Sequence, residues 1–389
     1  MTHILSTKKP RILFLFSDTG GGHRSAAEAI IEAIHLDYPD RYSTEMVDFF
    51  KEYAPPPLDL APQLYPSMAK LPGLWKMGYQ LSDNHWRAQF LCDLAWPYIR
   101  HQSLRLSSDH PFDLLVSVHP IPVIPYSRIL YSSSSPFVTV VTDLVSTHAL
   151  WFDQRTDLVL VPTDTACQHG LEYGLRAEQI KVVGLPVAER FCQPIENRFL
   201  TRARLGWPNN LPIILLMAGG DGMGSIEKIA LTISKAHLNA GLAIITGRNQ
   251  KLKNKLENVT WPIPTFIYGF VKDMPDFMRC ADILLTKAGP GTISEAIAAG
   301  LPIILYSYLP GQEEGNVTYV VNKGVGVWAP EPTQILETVI QWVNYPEERE
   351  KIAVNCRNLA IPDASHQIAK AIVERLNFAI EVRNKDIRL

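Results

Sequence analysis

Short, almost wholly apolar runs alternating with amphipathic stretches constrain this chain more than any other feature of its 389 residues. The runs fall at 11–16, 113–118, 137–142, 158–161, 212–217, 242–246, 265–268, 283–286 and 302–306, bounded by Gly, Pro or Asp. Runs of this length read as strands buried on both faces, as in a parallel sheet. Between them, 25–34, 225–238, 292–299 and 332–344 carry apolar residues at helical spacing. Strand then helix, repeated, predicts an α/β fold of doubly wound parallel sheets with helices on both faces.

The alternation pauses once, between Val187 and Leu211, where Gln193, Pro194, Glu196, Asn197 and Pro208–Asn210 make a polar, turn-rich stretch. We expect a linker there, and so two Rossmann-like domains, residues 1–200 and 201–365, with a cleft at the carboxyl ends of their sheets. The last helical pattern, 366–389, is free to pack back on the amino-terminal domain. An oddity lies at about 51–100, where prolines cluster between Ala54 and Pro72 beside Tyr65, Trp75 and Tyr79.

Composition narrows the partners. The 37 Lys and Arg nearly cancel the 39 Asp and Glu, leaving a net charge of −2 and no broad cationic field for nucleic acid. The 5 cysteines are scattered without a C-x-x-C, which fits reduced thiols rather than a disulfide frame or a cysteine zinc site. No stretch reaches the roughly 18 to 20 uninterrupted apolar residues of a spanning helix. The first strand pattern starts at Arg11, which leaves no room for a leader, so the chain is expected to work in the cytoplasm where it is made.

Four glycine-bearing or polar turns follow strand patterns. The first, Ser17-Asp18-Thr19-Gly20-Gly21-Gly22-His23-Arg24, opens a helix. Glycines there admit a ligand close to free backbone N–H groups, and the helix start is expected to keep the His23 imidazole neutral enough to act as a base. The second, 217–225, has four glycines in six residues and suits a diphosphate. In the third, 287–295, Glu295 is an early helical acid able to accept from vicinal hydroxyls. The fourth, 310–316, offers Gln312, Glu313 and Asn316 as donors and acceptors for a polyol. Strict dinucleotide, P-loop, serine-hydrolase and zincin motifs are missing, and so is any D-x-D clamp for a divalent ion.

Taken with 140–144 (Val-Val-Thr-Asp-Leu), 179–187, 246–249 and the long run 287–321, these turns resemble the monogalactosyldiacylglycerol synthase family, collinearly from Arg11 to about Val327. The resemblance implies the GT-B fold shared with the more distant peptidoglycan lipid II synthase. It also implies inverting, metal-independent transfer of a hexose from a UDP-sugar to the sn-3 hydroxyl of diacylglycerol. Galactose is favoured, with glucose open because Ala218, Asp221 and 306–308 depart from the plant pattern.

By the same resemblance His23 is the general base and Asp143 orients it or the acceptor. Phe270 and Val271 lie near uracil, Glu295 on the ribose, Gly220, Gly222 and Gly291 near the phosphates, and Gln312, Glu313 and Asn316 on the hexose. The donor set also takes in Arg248, Gly289 and Thr292, and the acceptor set Gly21, Gly22, His119 and Trp75. The segment 54–96 then reads as a lipid-admitting element that rests on the inner face of a membrane, with no cofactor beyond the UDP-sugar substrate. The alternatives are a UDP-sugar 2-epimerase on the same fold, a sugar-nucleotide binder, or transfer to another lipid.

Overall fold

A computed structural model of the chain describes residues 9–18, 21–54, 56, 58–60, 72–131, 133–193, 197–218 and 225–386. Two six-stranded sheets, parallel throughout, organise it. The first contains β1 (Arg11–Phe16), β2 (Ser43–Asp48), β3 (Leu114–Ser117), β4 (Phe137–Val140), β5 (Leu158–Val161) and β6 (Ile180–Val182), in the order β2-β1-β3-β4-β5-β6. The second contains β7 (Ile213–Met217), β8 (Gly241–Ile245), β9 (Thr265–Tyr268), β10 (Ile283–Lys287), β11 (Ile303–Ser307) and β12 (Gly326–Trp328), in the order β12-β11-β10-β7-β8-β9.

Each order reverses direction once, between β1 and β3 in the first sheet and between β7 and β10 in the second. Loops leaving the carboxyl ends of neighbouring strands diverge at such a reversal and open a crevice, which is where open α/β sheets bind ligands. The turn containing His23 follows β1, His119 follows β3, and the run Lys287 to Glu295 follows β10. Two of the expected functional turns, those bearing His23 and Glu295, therefore follow strands at the points where the topology makes room.

Apolar strand residues such as Phe14, Val116, Leu215 and Ile304 are wholly buried, as doubly covered sheets require. The expected break at residue 200 falls inside a helix, Arg198–Arg204. Arg202 of that helix is 5% exposed and holds Asp282, the carbonyl oxygen of Cys280 and that of Leu211, so the helix belongs with the second sheet. The last helix, Ala364–Asp386, lies against helix Gly22–Asp37 of the first domain. Its Ile368, Ile372 and Leu376 complete the core that contains Ile12, Phe14 and Ile30. All five cysteines are free thiols. No helix among the described residues is long and apolar enough to cross a membrane.

Candidate active site

The site begins at Gly21, whose φ of 83° puts it in the left-handed region and turns the chain sharply into helix Gly22–Asp37. A Cβ built on Gly22 or Gly291 would meet only open space, so packing does not demand glycine at either position. What the missing side chains leave is access to backbone N–H groups at the helix starts.

His23 sits on the first turn of that helix, and its Nδ1 lies 2.9 Å from the carbonyl oxygen of Val118 and 2.8 Å from Thr142 Oγ1. A carbonyl only accepts, so Nδ1 carries the proton and the Nε2 lone pair is left free. Burial pushes the imidazole down to about 4, opposed by the bond to Val118. The neutral form expected at this position is therefore held by desolvation of the ring, where the helix start had been the expected cause. His119 stands edge-on to His23 with ring centroids 4.6 Å apart. Its Nδ1 accepts from Ile121 N, and burial, with His23 adding to it, drives it well below the usual histidine value.

Asp143 does not reach His23. Its Oδ2 accepts from Trp151 Nε1 at 2.6 Å and its Oδ1 from Gln312 Nε2 at 3.4 Å. The Trp151 ring in turn lies 6.2 Å from the His23 ring, centroid to centroid. Burial raises Asp143 to about 6 against the two N–H donors.

On the opposite wall, helix Pro290–Ala298 packs against helix Gly22–Asp37 and presents Gly289, Gly291, Thr292 and Glu295 from its first turns. Burial alone lifts the Glu295 carboxyl to about 8. Glu313 is 4% exposed, with Oε1 2.5 Å from Lys287 Nζ and Oε2 accepting from Leu309 N, so it holds the loop as well as facing the cleft. Asn316 donates to the carbonyl of Ala288, while its Oδ1 is buried without a partner, an acceptor left for a ligand. Arg248 stacks its guanidinium 5.5 Å from the centre of the exposed Phe270 ring, with Val271 beside it. Gly220 and Gly222 lie outside the described residues.

Trp75 lies half-buried on helix Pro72–Ser82. That helix reaches the second domain, with Lys76 3.5 Å from Glu314 and Tyr79 against Gly311. The next helix, His85–Asp109, exposes Trp86, Phe90, Leu94 and Tyr98. Sequence reasoning singled out neither Thr142 nor Trp151 for a role at the site. A buried Trp eight positions after a buried Asp carries no local signal, because the loop between them creates the contact. Among the described residues no group of three or more His, Cys, Asp or Glu side chains is placed to hold a metal ion.

Two doubly wound domains with their reversal-point loops turned toward one cleft define the GT-B fold. The fold is shared with solved structures at low identity. A putative UDP-N-acetylglucosamine 2-epimerase from Listeria monocytogenes is 12% identical at a TM-score of 0.61, covering 93% of this chain and 95% of that one. Acinetobacter baumannii MurG is 14% identical at 0.58, covering 94% and 100%.

Sequence comparison is more specific. Residues 23–187 match the family described as monogalactosyldiacylglycerol (MGDG) synthase, and 213–367 match the glycosyltransferase family 28 C-terminal domain. Monogalactosyldiacylglycerol synthase 3, chloroplastic, of Arabidopsis thaliana is 38% identical, over 93% of this chain and 80% of its own length. A probable monogalactosyldiacylglycerol synthase 2, chloroplastic, of Oryza sativa subsp. indica is 37% identical over the same shares, 93% and 80%. The chain belongs to the monogalactosyldiacylglycerol synthase family and is a glycosyltransferase.

Proposed function

We propose that the chain transfers a hexose, with galactose preferred, from a UDP-sugar to the sn-3 hydroxyl of diacylglycerol, with inversion and without a metal ion. What supports this reading most is His23, whose Nδ1 bonds the Val118 carbonyl and so leaves Nε2 to act as a base, on a helix that packs against the helix bearing Glu295. His23 Nε2 takes the proton of the acceptor hydroxyl as its oxygen attacks the anomeric carbon. The bond from that carbon to the diphosphate oxygen breaks on the opposite side, and UDP leaves with the electron pair. Backbone N–H groups at the start of helix Pro290–Ala298, with Lys287 beside them, offset the growing charge. Glu295 accepts from the ribose hydroxyls, Arg248, Phe270 and Val271 flank the base, and Gln312 and Asn316 meet the hexose.

The exposed aromatic face of helix His85–Asp109 rests on a membrane surface, and Trp75, Gly21, Gly22 and His119 line the way by which the acceptor enters. The test is to supply liposomes containing diacylglycerol with UDP-galactose and UDP-glucose in parallel, then to determine the mass and anomeric configuration of the lipid product. A β-linked monoglycosyl diacylglycerol is expected, made faster from UDP-galactose. Conversion of a sugar nucleotide without lipid would instead favour an epimerase.

A further inference from the structure

Residues 143–146 leave the first sheet and end inside the second domain. Leu144 is 4% exposed and shares a core with Ile293, Ile297 and Leu301. Ser146 Oγ accepts from Gly315 N at 3.0 Å, and the Ser146 carbonyl accepts from Tyr79 Oη at 3.0 Å. Fixed by these neighbours, Asp143 is 4% exposed and spends one oxygen on Trp151 and the other on the amide of Gln312.

An amide side chain is nearly symmetrical in shape, and turning it over exchanges its donor and acceptor. Gln312 stands in the turn after Gly311, whose φ is 87°, so regular structure does not dictate which way its amide faces. Its amide N–H donates to a residue of the other domain. A carboxylate only accepts, and so it requires an N–H of Gln312 on its own side. The amide carbonyl is then turned to the other.

We propose that Asp143 is a positioning residue for the sugar: by accepting from Gln312 across the cleft it fixes which side of that amide donates and which accepts. The selection of hydroxyl pattern on the hexose is thus built jointly by the two domains. The inference rests on the reading that Gln312 meets the hexose.

The test compares UDP-galactose with UDP-glucose in lipid glycosylation by the full chain, its Asp143→Asn and Gln312→Ala variants, and the double variant. Asp143→Asn keeps the volume but lets the amide of Gln312 turn over. It is expected to raise KM for the preferred donor and lower the ratio of kcat/KM between donors about 10-fold, while KM for diacylglycerol stays unchanged. Gln312→Ala lowers the ratio by a similar factor, and the double variant lowers it no further. Trp151→Phe removes the other bond to Asp143 and should leave the ratio intact. The proposal is overturned if Asp143→Asn leaves the ratio unchanged, if the two losses multiply, or if Trp151→Phe erases the preference equally. Failure of the underlying functional reading looks different, as no lipid product from either donor in the unaltered chain.

Discussion

At the scale of single residues, the site relies on burial to set protonation. His23 is neutral down to about pH 4 because its ring is desolvated, yet a group with so low a value is a weak base. On the proposed function, the negative charge of a bound UDP diphosphate should raise it, so that basicity grows when substrate is present. Nuclear magnetic resonance of labelled histidine should show a titration near 4 in the free chain that moves upward with UDP. His23→Ala should lower kcat by about 10²–10⁴-fold with little effect on UDP affinity. Near-normal turnover would remove the base assignment. Glu295 runs the other way: burial raises it to about 8, so near neutrality the free carboxyl is largely protonated. Ribose hydroxyls donate to the ionised form, so UDP affinity should rise with pH up to about 8 and level off above it, with a proton released on binding below that value. Calorimetry in buffers of different ionisation enthalpy reads that proton directly. Glu295→Gln should abolish the pH dependence.

Among elements, position in the sheet decides how much the sequence discloses. Every interior strand has a run of apolar residues because both of its faces are covered, and each of those runs is visible in the chain. The strands absent from the pattern, β2, β6 and β12, all lie at sheet edges. There Ser43–Asp48 has only two apolar residues, Met46 and Val47, and Ile180–Val182 and Gly326–Trp328 are three residues long. Edge strands are paired on one side only, and so need less apolar material. The site divides in the same way. His23 and Glu295 were legible because strand, turn and helix follow one another along the chain. The partnership of Asp143 with Gln312 was not, because it spans 169 positions and exists only once the domains meet. Helix His85–Asp109 shows a third case, in which apolar residues at helical spacing do not face a core. Trp86, Phe90 and Leu94 are 72%, 53% and 72% exposed, at steps of four along one face. Replacing all three with Ser should weaken partition to diacylglycerol liposomes by about 1,000-fold or more, taking roughly 1.5–3 kcal/mol for each large side chain buried. Thermal stability should hardly change, because the folded chain already leaves them exposed. A variant that binds liposomes as well as the parent would show that this face is not the lipid contact.

The whole molecule is tied together by its final helix, which makes the order of the chain a poor guide to its units. Ala364–Asp386 follows the second domain in sequence yet completes the first. Tyr42 Oη donates to Asn377 at 3.0 Å, Arg383 holds the carbonyl oxygens of Asp113 and Ser134, and Arg375 pairs with Asp157. Among the described residues, two connections cross between the domains, near 183–193 and 360–363, and they meet side by side at Gly184, Val187 and Ser365. Ser365 Oγ donates to the Val187 carbonyl at 2.7 Å, and a Cβ on Gly184 would come within 3.0 Å of Ala364. The two connections are tied to each other as well as to the domains they join. The same geometry fixes what happens when the chain is cut. Ending it after residue 360 uncovers Ile12, Phe14, Ile30 and Ile34 of the first core, while the second domain keeps every strand of its sheet. Denaturant unfolding of the shortened chain should then show the first domain lost and the second retained. Within the full chain, Ile372→Ala should cost about 2–5 kcal/mol, since the side chain is wholly buried between the helix and the first sheet. That loss should appear in the transition of the first domain alone. A shift in the second domain's transition instead would mean that the final helix supports both lobes.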